Sequence, residues 1–278
     1  MKTMFKILMV AVMMCSAFPT ISLAEDVIRV GGAGTGLGVV KILGEAFEKT
    51  HPGTRIKIQP NLGSSGGIKA LLNGALDVAI SGRSLKPDEL KNGAAALECA
   101  TTPFIFIVNN GVNKTDVTVR ELEMIYNGQM LNWPDGRRIR LILRPVGDTD
   151  STLVKRISKG MEQAVNAANA RPNMIMAVTD QETADTVAKT PGALGTSTLV
   201  QHETEKSPVK LLAFNGVRPS LDSLAKGSYP LSKPFYLVTT PKTPSAAVQF
   251  IQFVRSAKGR EILTQYGAMP TVEDKRIK

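Results

Sequence analysis

Two spacings of apolar residues alternate along the chain after residue 25. Ile28 and Val30 bracket Arg29 as one face of a strand requires, whereas Val39, Val40, Leu43 and Phe47 recur at helical intervals. A glycine-rich turn, Gly31 to Gly38, separates them. The unit then repeats. Pro52-Gly53 stops the first helix, Ile56 and Ile58 alternate in a second strand, and Gly63-Ser64-Ser65-Gly66-Gly67 turns into a helix carrying Ile68, Leu71 and Leu72. A third strand is expected at Val78 to Ser81, a short helix from Pro87, and a strongly apolar strand at Phe104 to Val108.

The second half keeps the rhythm. Thr118-Val119-Arg120-Glu121 has the form of a capping box opening a helix that closes near Gly128. Ile139, Leu141 and Leu143 alternate into the loop Arg144 to Asp150, after which Leu153, Val154, Ile157 and Met161 stripe a helix beginning at Ser151. Asp180 or Thr183 begins the next helix, and Pro191-Gly192 ends it. Strands follow at Ala193 to Thr198, Val209 to Phe214 and Phe235 to Thr239, and Phe250, Ile251, Val254, Ile262 and Leu263 stripe two last helices. Strands alternating with helices imply an α/β protein with largely parallel sheets. With no fixed-period repeat, low-complexity tract or flexible linker, two lobes would have to be joined by strands.

The N-terminus changes the compartment. Lys2 and Lys6 precede the apolar run Ile7 to Phe18, and Ser22-Leu23-Ala24 supplies a small-x-small cleavage site. A signal peptide over residues 1–24, cut after Ala24, makes the protein periplasmic and leaves no run near the roughly 20 apolar residues of a membrane span. Cys15 lacks the small residue before it that a lipid anchor needs. Cleavage would leave Cys99 as the single thiol, with no disulfide and no CxxC site. Lys and Arg number 34 against 24 Asp and Glu, a formal charge of +10, which suits an anionic partner. The cations are scattered, without the aromatic-rich basic motif of a nucleic-acid binder.

Three loops share one design, in which a strand ends, a turn rich in Gly, Ser and Thr follows, and a helix begins. They are Gly34-Thr35-Gly36, Ser64-Ser65-Gly66-Gly67 and Gly147-Asp148-Thr149-Asp150-Ser151-Thr152. In open α/β sheets such loops form the ligand crevice, where free amides and the positive helix end favour an anion. Each loop taken alone could be a helix cap and a turn. Three of them, with Ser81 and Arg83 after a further strand and Arg144 opening the third loop, point to an anion cradle.

Gly32 to Thr35 (Gly-Ala-Gly-Thr), Gly63 to Lys69 (Gly-Ser-Ser-Gly-Gly-Ile-Lys) and Asn73 to Ala79 (Asn-Gly-Ala-Leu-Asp-Val-Ala) resemble the periplasmic phosphate-binding proteins of ABC importers. Ile125-Tyr126-Asn127-Gly128 with Asn132-Trp133, then Pro191 to Gly195, and Tyr229-Pro230-Leu231-Ser232 continue the match in order. The resemblance implies a type II periplasmic binding fold, with lobe 1 from residues 27–103 and 235–278 and lobe 2 from residues 104–234. It implies a phosphate or related oxyanion held between the lobes, permease subunits as partners, a monomer, and no cofactor, metal or catalytic residue. The ligand set would be Thr35, Gly36, Ser64, Ser65, Ser81, Arg83, Arg144, Asp148, Thr149 and Asp150.

Two departures stand out. Gly82 stands where many relatives have an aspartate that accepts a hydrogen bond from the phosphate proton, and Asp148 and Asp150 stand at two hydroxyl positions of the third loop. Either carboxylate could take over as acceptor, offset by Arg144 and Arg83; equally, Asp150 could only cap the helix and Asp148 face solvent. Rival functions are a sensor for another small ligand and, more remotely, a serine hydrolase using Gly63-Ser64-Ser65-Gly66-Gly67 as a nucleophile elbow. The hydrolase would need His202, which lies in Gln201 to Lys206, a stretch that reads as a solvated loop.

Overall fold

The computed structural model describes residues 25–271 and the backbone of residues 276–277. The signal peptide expected at residues 1–24, its cleavage site and Cys15 lie outside the described residues. The first half runs β1 (Asp26–Gly32), α1 (Gly34–Glu48), β2 (Thr54–Asn61), α2 (Gly63–Leu72), β3 (Val78–Ser81), α3 (Pro87–Lys91) and β4 (Ala95–Asn109). Next come β5 (Asp116–Val117), α4 (Val119–Tyr126), β6 (Arg140–Leu143), α5 (Thr149–Lys155), α6 (Lys159–Ala170), β7 (Ile175–Met176), α7 (Asp180–Lys189) and β8 (Ala193–Thr198). The chain ends through α8 (Leu199–Glu205), β9 (Val209–Leu211), β10 (Ala213–Phe214), α9 (Leu221–Ala225), β11 (Ser232–Thr239), α10 (Ser245–Arg255), α11 (Ala257–Gln265), β12 (Met269–Pro270) and β13 (Arg276–Ile277).

The strands order as β2-β1-β3-β11-β4-β8-β6-β7. β1 is parallel to β2 and β3, and β6 is parallel to β7 and β8. Antiparallel pairing centres on β4 and β11 in the middle of this order, with β9, β12 and β13 added antiparallel to β4. Residues 95–103 of β4 pair with β11, and its residues 104–108 pair with β8, so one strand of 15 residues runs through both sheets. The strand expected at Phe104 to Val108 is only its second half. The preceding residues are more polar, but Ala96, Cys99, Ala100 and Thr102 are buried all the same.

Alternation along β4 divides the second core in two. Phe104, Phe106 and Val108 join Leu122, Met161, Trp133 and Tyr229 on one face, and Ile105 and Ile107 join Ile142, Ala184 and Val187 on the other. The first sheet is covered likewise, by α1, α10 and α11 over Val30, Ile80 and Leu237, and by α2 over Ala79 and Val238. Cys99 lies in the first of these cores, where burial pushes its thiol up to about 12. No helix among the described residues is long and apolar enough to cross a membrane.

Several motifs turn out to be joints of this frame. Asp77 receives the backbone N–H of Arg29 at 2.8 Å and its guanidinium at 2.9 and 2.7 Å, tying β1 to the start of β3. The Trp133 indole donates to the Gly192 carbonyl at 2.9 Å. Gly192 itself has φ +76°, and a Cβ there would fall 2.2 Å from the Arg138 carbonyl oxygen, so the turn requires glycine. The stretch Gln201 to Lys206 is not a loop: its first five residues complete α8. Thr198 caps that helix by accepting from the Gln201 amide, and Val200 plugs into the first core, which an apolar pair in a polar stretch did not advertise.

Candidate functional site

The glycine-rich segments are the first turns of helices rather than loops before them. Gly32, at φ +131°, makes the bend after β1, and α1 begins at Gly34. α2 begins at Gly63. The glycines allow close packing: a Cβ on Gly36 would lie 2.3 Å from the Phe235 ring, and one on Gly67 would lie 2.5 Å from the Gly32 Cα. The N-cap residues of these helices, Ala33 and Leu62, provide no side-chain cap, and neither first turn contains an acid. Facing them are the N-termini of α5 and α7, capped by Asp148 and Thr179 and carrying Asp150 and Asp180 in their first turns.

Between the two walls lies a buried ion-pair network. Lys233, on β11 and 2% exposed, donates from Nζ to Asp150 Oδ1 at 2.5 Å and to Asp180 Oδ1 at 3.2 Å. Asp150 also accepts from the Thr196 hydroxyl at 3.0 Å. Arg144 donates through Nε and Nη2 to the two Asp148 oxygens at 3.2 and 3.1 Å, and its Nη2 stands 3.8 Å from Asp180 Oδ2. Its Nη1 reaches the Ala177 carbonyl and the Thr183 hydroxyl. Asp180 crosses to the opposite wall, accepting from the Thr35 hydroxyl and the Asn61 amide, each at 3.3 Å. Beside it, Asn61 donates to Gln181 at 2.6 Å, and Gln181 donates to the Gly34 carbonyl.

The electrostatics separate the two buried carboxylates. For Asp180, burial acts to raise the pKa, but Lys233 and Arg144 together outweigh it and hold the group at about 2. Asp150 is pushed up, chiefly by burial and by repulsion from Asp180 and Asp148, with Lys233 only partly offsetting this. Burial opposes the charge on Lys233, yet Asp150 and Asp180 raise its pKa on balance. Two cations thus face three carboxylates; Lys233 and Arg144 act on both Asp150 and Asp180, and they outweigh burial at Asp180 but not at Asp150.

Of the expected ligand residues, Thr35, Arg144, Asp148 and Asp150 meet in this network. Thr149 and Ser65 line the space left open beside it, about 260 Å³ between α2 and α5. Ser64 is buried, its hydroxyl accepting from the Gly82 amide at 3.0 Å. Ser81 closes a local turn with Arg83, and the amide of Gly36 points to the Ala33 carbonyl. Arg83 does not offset the acids of the third loop. It forms a bidentate pair with Glu89 at 2.9 and 2.7 Å, because the capping position of that glutamate on α3 brings its carboxylate alongside, and Arg83 also donates to Ser65. The helix expected to begin at Ser151 begins at Thr149. Asp148 rather than Asp150 is its cap, accepting from the Asp150 amide at 2.9 Å, so Asp148 is engaged with Arg144 and the helix instead of facing solvent.

The family comparison follows this geometry. The PBP superfamily domain matches residues 20–258. The chain belongs to the PBP superfamily. Among curated relatives, it is 27% identical to the phosphate-binding protein PstS of Borreliella burgdorferi, over 87% of this chain and 89% of that protein. It is 24% identical to the PstS of Bacillus subtilis, over 91% and 83%. A Clostridium perfringens phosphate ABC transporter substrate-binding protein, solved with bound phosphate, shares the fold at TM-score 0.76 and 21% identity, over 88% of this chain and all of that one.

Gly82 and Asp150, two of the positions singled out in the sequence, meet at one buried side chain, Lys233. A Cβ on Gly82 would lie 2.7 Å from Lys233 Cε, so the lysine stem runs through the space that a side chain at this position, the expected aspartate included, would fill. Gly82 thus leaves room for the buried cation on β11, and Asp150 pairs with that cation. Sequence reasoning missed Lys233, Asp180, Asn61 and Thr196. One signal was available: a lysine between Ser232 and Pro234, at the entrance to an apolar strand, has no solvent face to occupy. Asp180 carried a signal only as a helix start, which is where it sits.

Proposed function

We propose that the chain is an exported solute-binding protein that captures a small oxyanion, phosphate foremost, between two hinged lobes and delivers it to the permease subunits of an ABC importer. The lobes in this reading are residues 27–103 with 235–278, and residues 104–234. The observation that carries it is the Asp180 carboxylate. An oxyanion already lies in the cleft, held by a hydroxyl, a side-chain amide, an ammonium and a guanidinium beside the uncapped start of α1. A free anion of similar size meets the same donors. The phosphate-binding relatives and the export signature at Lys2 to Ala24 support the remainder.

Titration calorimetry on the mature protein tests this reading, with phosphate, arsenate, sulfate, molybdate and small carboxylates as ligands. Saturable phosphate binding with sulfate weaker is expected, because the cleft carboxylates accept a proton-bearing oxyanion and repel one without protons. Heat changes absent for every oxyanion would refute it. Preference for another member of the series would keep the fold-level role and change the ligand.

A further inference from the structure

The Asp180 carboxylate is bound as a ligand would be, although it belongs to the protein. It projects from the far wall at the first position of α7 and reaches Thr35 and Asn61 on the near wall. α1 has no side-chain cap and no acid of its own, so this carboxylate supplies from across the cleft the negative charge that a helix start attracts. The chain makes room for it. A Cβ on Gly34 would lie 2.7 Å from Asp180 Oδ2, and the missing side chain lets the carboxylate lie against the first turn of α1. Gln181 holds the approach in register through Asn61 and the Gly34 carbonyl.

Asp150 is not equivalent. Its partners are Lys233 and Thr196, and none of its hydrogen bonds crosses to α1 or α2. It remains as the fixed counter-ion of Lys233 whatever Asp180 does. When Asp180 leaves, Thr35, Asn61 and one face each of Lys233 and Arg144 lose a partner together, which is a complete donor set for an incoming anion.

We propose that Asp180 is a built-in competitor for the anion cradle, and that it sets the affinity and selectivity of the cleft while tying its two walls together. This rests on the oxyanion reading of the cleft and deepens it. An entering anion replaces Asp180 at Thr35, Asn61, Lys233 and Arg144, so the affinity observed is the intrinsic one reduced by the fraction of molecules in which Asp180 is displaced. Anions that interact weakly with a guanidinium and an ammonium fail to displace it.

Two measurements on the mature protein and its Asp180→Ala variant test the proposal. In small-angle scattering without added anion, D180A should be more expanded than wild type. Acetate, which restores the missing carboxylate as a free molecule, should return D180A to the wild-type dimensions and leave wild type unchanged. In calorimetry, phosphate should bind D180A about tenfold more tightly than wild type, or better. Should D180A prove unfolded by circular dichroism, Asp180→Ser, which removes the carboxylate, leaves its space open and suits a helix start, takes its place in both experiments. Equal compactness of variant and wild type, or no response of the variant to acetate, overturns the competitor role. Failure of phosphate to bind either protein, with the acetate response intact, overturns the phosphate reading and leaves the competitor role standing.

Discussion

The two walls of the cleft are built from the same device and charged in opposite ways. Each presents two helix N-termini. On the first wall, α1 and α2 begin with Gly-Thr-Gly and Gly-Ser-Ser, without an acid and without a cap from the preceding residue. On the second, α5 and α7 begin with an aspartate in the first turn and a capping side chain before it. The first wall is therefore a donor surface that supplies no charge of its own to answer its helix dipoles, and the second has its dipoles answered by its own carboxylates. The difference teaches that a strand-turn-helix crevice does not by itself make an anion site. Who supplies the negative charge is decided by one or two side chains in each first turn.

Breaking the charged core of the second wall should have the largest effect. Lys233→Met leaves Asp150 buried against Thr196 without its cation, and removal of one member of a buried pair typically costs about 3–5 kcal/mol. Urea unfolding measures this directly. On the first wall, Thr35→Val removes a single 3.3 Å hydrogen bond and should cost about 1 kcal/mol. Equal losses at the two positions would show that the walls do not differ in the way their charges imply. Lys233→Met with Asp150→Asn should recover part of the loss, since the uncompensated charge is then removed.

Acid sharpens the same contrast. The pKa of Asp180 is lowered from 3.8 to about 2 in the native protein, so its ionised form favours folding. That contribution, about 2 kcal/mol, is complete above about pH 5 and is lost as the pH falls through roughly 4 toward 2. Asp150 runs the other way, because its raised pKa makes protonation on acidification favour the native state. Comparing wild type with Asp180→Asn at each pH isolates the first effect. The stability advantage of wild type in urea should be larger near about pH 6 than near about pH 3, and an advantage independent of pH would show that Asp180 is not held ionised by Lys233 and Arg144.

Most of the fold was legible because it depends on periodicity. Ile28 with Val30, and Val39, Val40, Leu43 and Phe47, fixed strand and helix faces without reference to anything distant. The joining strand β4 was legible only from Phe104 onward. Its first half is buried by β11, which lies more than 100 residues away in sequence and cannot be inferred from local pattern. In the site, Thr35, Arg144, Asp148 and Asp150 were readable because each stands in a loop of the expected design. Lys233 and Asp180 were not, since each has an ordinary local use, a strand residue and a helix start. Only the tertiary fold brings them within 3.2 Å of each other. Arg83 was misjudged for the opposite reason, because a nearer acid, Glu89, claims it.

The smallest effect separates the two duties of Asp148. Its carboxylate accepts the Asp150 amide as the cap of α5 and also holds Arg144 through both oxygens. Serine is about as good an N-cap as aspartate, whereas alanine at this position forfeits about 1 kcal/mol. Both Asp148→Ser and Asp148→Ala lose the pair with Arg144, so if Asp148 contributes to stability as a cap the serine variant should be about 1 kcal/mol more stable than the alanine variant. A thermal shift of about 2–4 °C between the two variants would register this for a chain of this size. Equal destabilisation by serine and alanine would mean that the pair with Arg144 is what matters, and that the second wall is held by its ions rather than by its helix start. Since Arg144 keeps its bonds to Ala177 and Thr183 and its approach to Asp180 in both variants, its position is maintained, and the cap is the interaction that the serine–alanine difference reads.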